Sequence, residues 1–146
     1  MKNTEIKAHR VGTKAYHKEL FRLMEEFDRL VKRLAKEKDE ETFSGMLEIA
    51  SSIYGSPMQE IVIGKCYLNG IGTKFDRLKA EEWFQKAKKH GNELACLELS
   101  YIYATLEDPE ESISCLRMAK WHGSKLAKGM LEEMEKHPFE PECAKA

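Results

Sequence analysis

The sequence predicts an all-α chain, an α/α solenoid of about seven helices arranged as antiparallel pairs. Three observations predict it: apolar residues recur at three- and four-residue steps nearly throughout, helix start and stop signals punctuate them, and one pattern repeats at the length of a helical hairpin. Composition agrees, because 42% apolar and 34% charged residues with 9 Gly and 4 Pro describe a folded, helix-rich chain rather than a β sandwich. A length of 146 residues fits a single domain, 1–146, that can bury a core without staples.

Residues 1–13 are expected to form a flexible N-terminal arm. The first helix follows from Tyr16, Leu20, Leu23, Phe27, Leu30 and Leu34, one apolar stripe that Phe21, Met24 and Val31 widen beyond a coiled-coil seam, so it should pack on its own domain rather than on a copy of itself. It should stop near Glu37, where KEKDEE supplies a turn and an acidic start for the next helix. That helix, from about Glu40 to Tyr54, turns Phe43, Met46, Leu47, Ala50 and Ile53 to one side, with Gly55 as a left-handed cap. Residues 14–54 thus read as a helical pair, either a divergent repeat or a cap.

Ser56, Pro57 and Gln59 then open a third helix, running to about Leu68, with Ser56 and Gln59 forming a capping box and Pro57 at the first helical position. Gly55, Gly91 and Gly123 each close a helical pattern, at spacings of 36 and 32. Eight residues after them stand Ile63, Leu99 and Leu131, and twelve residues after the first two stand Tyr67 and Tyr103. Counting back from the closing glycine aligns Asp76, Trp83, Phe84, Ala87, Lys88 and His90 with Asp108, Cys115, Leu116, Ala119, Lys120 and His122. Two hairpins therefore repeat, at 55–91 and 92–123, followed by a capping helix at 124–137 and a flexible tail at 138–146. The length difference lies between tyrosine and aspartate, nine positions apart in the first copy and five in the second, so what is missing is the glycine loop itself.

The physical reading of these positions is structural. Gly64 should let two helices approach, while Ala80 and Ala87 leave room for Tyr67 and Trp83. Asp76 and Asp108 are placed as N-caps of second helices. Gly70 and Gly72 supply the positive φ needed to leave the first helix; the third glycine and the preceding strand of a dinucleotide loop are both missing, as is the phosphate-loop pattern.

These residues resemble the Sel-one-like repeat family, a relative of the tetratricopeptide repeat. The resemblance rests on Ile63, Gly64, Tyr67, Gly70, Gly72, Asp76, Lys79, Ala80, Trp83, Phe84, Lys86, Ala87, Gly91 and Ala95 in one unit. A degenerate second unit keeps Ala95, Leu99, Tyr103, Asp108, Ala119 and Gly123 and has Ser100 where the first has Gly64. The resemblance implies a right-handed superhelix of antiparallel helix pairs whose first helices line a concave face, and adaptor or scaffold roles without catalysis.

Apolar residues that the repeat core does not obviously use are the candidates for partner binding. Ile61, Lys65 and Leu68, then Leu97, Tyr101 and Thr105, form rows on the first helices of two successive units. Trp121 either packs under Phe139 or stands exposed. The expected function is that of a non-catalytic protein-interaction module, an adaptor or scaffold, with a cytosolic inhibitor or immunity protein that neutralises a toxin as the alternative.

Other classes of function find little support. A net charge of −1, from 24 basic and 25 acidic residues, provides no global field for nucleic acid or anionic membrane. Lys86, Lys88, Lys89, Arg117, Lys120, Lys125 and Lys128 form a basic sector on the second and last helices that suits phosphates or an acidic protein as well as it suits a solvated face; with a neutral total charge, nucleic acid is not the expected partner. No catalytic motif is present, and His90 and His122 sit where helix C-termini favour a cation or donor. Glu133 and His137 share a helix face but make no metal site. Cys66, Cys96, Cys115 and Cys143 have no metal spacing; the first three read as buried thiols, the last as a free one in the tail. No cofactor, metal or small-molecule substrate is expected. No apolar run suits an export signal or a membrane span, which leads us to expect a cytoplasmic protein.

Overall fold

The computed structural model describes residues 13–53 and 55–137. The expectations for the N-terminal arm before Thr13, for the tail at 138–146, and for Tyr54, Phe139 and Cys143 lie outside the described residues. Among the described residues there are seven helices and no strand: α1 Lys14–Glu37, α2 Glu40–Ser52, α3 Pro57–Asn69, α4 Arg77–Lys89, α5 Glu93–Thr105, α6 Pro109–Trp121 and α7 Lys125–Lys136. They gather into two compact units that divide between His90 and Gly91, the closing glycine of the first repeat. One unit holds α1 to α4, the other α5 to α7.

Local signals set the boundaries. Thr13 caps α1 by accepting the Tyr16 N–H, and Lys38 ends it at φ 51. Asp39 caps α2, with Glu40 and Glu41 in its first turn, where the helix dipole favours negative charge. Asp76 and Asp108 cap α4 and α6 by accepting the N–H groups of Lys79 and Glu111. Asn92 and Ser124 do the same for α5 and α7 through Ala95 and Ala127. The expected capping box at α3 does not form: Ser56 makes no side-chain cap bond, and its hydroxyl turns to the side chain of Gln59. Pro57 lacks an N–H to satisfy, which lowers the demand for a cap there.

In the first unit, α1 packs on α2, α2 on α3 and α3 on α4. Leu23, Phe27 and Leu34 are the buried part of the α1 stripe. Phe21 and Met24 do not widen the packed face as expected, being 64% and 37% exposed. The helix meets only one neighbour closely, so a single arc suffices. Phe43, Met46, Ala50 and Ile53 are buried, joined by Thr42 and Ile49.

At the α3–α4 contact a methyl group built on Gly64 would lie 2.4 Å from the Phe84 ring, so only glycine admits that ring. Phe84 is fully buried between Ala80 and Ala87, and Trp83 is half-buried. The residue accommodated by the small positions is therefore Phe84 rather than Trp83, because it lies on the same stripe as the two alanines. Tyr67 instead meets Phe43 edge-on, with ring centroids 5.2 Å apart.

The glycine loop does more than turn. Gly70 takes φ 64 as the α3 cap. Gly72, at φ 73, is buried, and a side chain there would meet the Phe43 Cβ at 2.7 Å and a Leu34 methyl at 2.8 Å. The loop thus seats the α3–α4 hairpin on the α1–α2 turn. In both hairpins the cap aspartate closes on the tyrosine carbonyl, Asp76 N–H to Tyr67 at 2.9 Å and Asp108 N–H to Tyr103 at 3.0 Å. The shorter second loop makes its turn at Glu107, φ 59.

In the second unit, α5 packs on α6 and α6 on α7. Ala95, Cys96, Leu99, Tyr103, Cys115, Leu116, Ala119 and Ala127 are its buried centre. The Ser112 hydroxyl ties the helices by donating to the Ser100 carbonyl at 2.7 Å.

Candidate interaction surface

The two first helices of the repeats present equivalent outer rows. On α3, Met58, Val62, Lys65 and Asn69 lie outward; on α5, the same offsets from the preceding glycine hold Leu94, Glu98, Tyr101 and Thr105. Asn69 Nδ2 donates to the Lys65 carbonyl at 3.0 Å, and Thr105 Oγ1 to the Ile102 carbonyl at 2.7 Å. Both rows therefore end in a side chain that bonds back to a carbonyl in the last turn of its own helix.

Of the sequence candidates on α3, Lys65 and Leu68 are half-buried and accessible at their edges. Ile61 is 1% exposed and cannot meet a partner. Because α3 packs against both α2 and α4, its buried arc is wide enough to take Ile61 in.

On α5 the candidates form one surface. Tyr101 is 50% exposed, Thr105 is exposed, and Leu97 is half-buried against the cluster of Cys96, Leu116, Ala119 and Ala127. Leu94, 67% exposed and three residues before Leu97, extends the row and was missed. Its signal was legible as the preceding helical step. The Tyr101 hydroxyl lies 4.0 Å from Met130 Sδ of α7, which steadies the ring without covering it.

Trp121, the last residue of α6, is 82% exposed. An indole held that far into water on a helix end is a large apolar area available to a partner. On α7, Leu126 and Met134 are exposed and only Ala127 is buried. Between α6 and α7 lies a cavity of about 600 Å³ lined by Ile113, Arg117, Lys120, Leu131, Met134, Glu135 and His137.

Glu60 and His90 are a pair that sequence spacing does not bring together. The Glu60 side chain is almost fully buried on α3, and both its oxygens lie within 3.1 Å of His90 Nδ1 at the α4 terminus. Burial pushes the Glu60 carboxyl above the usual range, opposed by its bond to His90 and the charges of His90 and Lys86. The pair borders a recess of about 400 Å³ with Ala50, Ile53 and Trp83, whose ring lies 4.2 Å beneath Lys86 Nζ. A carboxylate and an imidazole spent on each other hold two helices together. His122, at the equivalent position of the next repeat, is exposed.

Among the described residues no group of three or more His, Cys, Asp or Glu could hold a metal ion. Cys66, Cys96 and Cys115 are buried, and burial pushes the Cys66 thiol up to about 11. No described helix is long and apolar enough to cross a membrane.

No family model and no curated protein matches the chain. Among solved structures it is similar to a Sel1 repeat protein from Oxalobacter formigenes, at 22% sequence identity and TM-score 0.51, over 65% of this chain and 40% of that one. The chain thus spans less than half the length of that structure. The likeness establishes the fold as an all-α Sel1-like arrangement of helical hairpins.

Proposed function

We propose that this chain is a non-catalytic protein-interaction module, an adaptor or scaffold that binds a partner protein through exposed helix faces. The observation that carries the reading is the α5 row. Leu94 and Tyr101 are two large side chains more than half or half in water, set on a helix whose opposite side is fully packed. Rigid helices that display apolar and aromatic anchors lose little entropy on binding and suit a protein partner. The Glu60–His90 pair and the buried Cys66, Cys96 and Cys115 lie inside the packed helices rather than at the α5 surface.

The test is affinity capture from the native host with the native chain and with Leu94→Glu and Tyr101→Glu. Loss of the same partner from both variants, with unchanged helical melts, supports the reading. Undiminished capture by both would remove the α5 row from the interface.

A further inference from the structure

The α7 helix is the first helix of a hairpin that, among the described residues, has no second. Counted from the closing glycines, Leu131 of α7 corresponds to Ile63 and Leu99, both 0% exposed, yet Leu131 is only half-buried. Met134 corresponds to Cys66 and Ile102, 6% and 8% exposed, yet Met134 is 42% exposed. In the two earlier hairpins a second helix packs on the first, α4 on α3 and α6 on α5. The same side of α7 instead borders the 600 Å³ cavity against α6.

The cavity has a chemical direction. Ile113, Leu131 and Met134 are its apolar lining; Arg117 and Lys120 stand on the α6 rim, and Glu135 stands on the α7 rim. A segment lying there gains by placing an apolar stripe inward and carboxylates toward α6, and it loses by placing a carboxylate toward Glu135. We propose that this cavity binds an acidic amphipathic helix of a partner protein, which lies on α7 as α4 lies on α3 and α6 on α5, with its acidic edge along Arg117 and Lys120. The proposal rests on the reading of the chain as a protein-interaction module and gives that module a second surface, separate from the α5 row. Helix-in-groove binding of this kind depends on a few anchors at helical spacing.

The probe is a synthetic peptide with the α6 sequence, residues 109–121, in which Arg117 and Lys120 are replaced by Glu and a side-chain lactam holds the helix. It keeps the stripe of Cys115, Leu116 and Ala119 that packs in the second unit. We expect saturable binding to the full native chain by fluorescence anisotropy. Met134→Glu and Lys120→Glu should each weaken it by roughly tenfold or more, Glu135→Gln should strengthen it, and Tyr101→Glu should leave it unchanged. Met134 and Lys120 are exposed, so these variants should keep the native helical melt.

No saturable binding to the native chain overturns the proposal, as does binding indifferent to Met134→Glu. If only Phe139→Ser binds the peptide, the occupant is the chain's own end and the proposal falls. If the native chain sediments as a dimer that Met134→Glu dissociates, the occupant is a second copy and it falls likewise. None of these outcomes bears on the α5 row, whose capture experiment stands alone.

Discussion

The ring of Phe84 fills the space that a side chain on Gly64 would need, with the nearest ring carbon 2.4 Å from where a Cβ would stand. The second repeat has Ser100 and Leu116 at these two positions, both buried. One copy pairs the smallest residue with an aromatic ring, the other a larger residue with a smaller apolar one, so volume is conserved across the contact. We expect Gly64→Ser alone to destabilise the protein by about 1–3 kcal/mol, the usual cost of overpacking. Adding Phe84→Leu should recover most of that loss, and urea melts of the two single variants and the double would show it.

Gly70 and Gly72 both have positive φ, but only Gly72 is crowded. Gly70→Ala should therefore cost about 1 kcal/mol of backbone strain. Gly72→Ala should cost about 1 kcal/mol more, because its methyl meets the Phe43 Cβ and Leu34. Equal losses in thermal melts would show that the loop is a turn alone and does not seat one hairpin on another.

The Glu60 carboxyl binds its proton more tightly in the folded chain than in the unfolded one, because burial outweighs its attraction to His90 and Lys86. The stability it contributes is therefore complete below the unfolded carboxyl value, roughly 4.3, and is lost as pH rises through the raised folded value. Glu60→Gln removes this dependence and keeps a hydrogen-bonding partner for His90. Relative to the native chain, the variant should gain stability as pH rises from about 4 toward neutrality. Parallel melting curves for the two proteins across that range would contradict the assignment.

Cys96 and Cys115 are fully buried, and the Cys66 thiol is held far into its protonated form at neutral pH. In the native state, alkylation of these three should proceed only through opening of the fold, with rates that rise with denaturant as the helical signal falls. Mass spectrometry of partly labelled protein would locate each adduct. Rapid native labelling of Cys66 would count against its burial.

Helix starts were legible because they depend on neighbours in the chain, whereas α2 stops at Ser52 with an extended cap at Ile53, short of the expected end near Tyr54 and its Gly55 cap. Asp76 and Asp108 cap the helices that the sequence assigned to them, and the aspartate-to-tyrosine closure explains why loops of different length leave the same hairpin. The α5 row was legible in part, since helical spacing joined Leu97, Tyr101 and Thr105, and one step back would have added Leu94.

What the sequence by itself determined was the all-α class, the repeat and the aspartate caps of α4 and α6, since periodicity and capping act within a few residues of one another. Only the tertiary structure decided which arc of each helix is covered, because that depends on how many helices touch it. Ile61 and Leu97 share one repeat position, yet Ile61 is enclosed and Leu97 is half-open. Trp83 and Phe84 are adjacent, and the space above Gly64 takes the second. Glu60 and His90, thirty residues apart, meet only because α3 and α4 pack side by side. The open side of α7 arises the same way, since an apolar residue is buried only where another helix arrives to cover it.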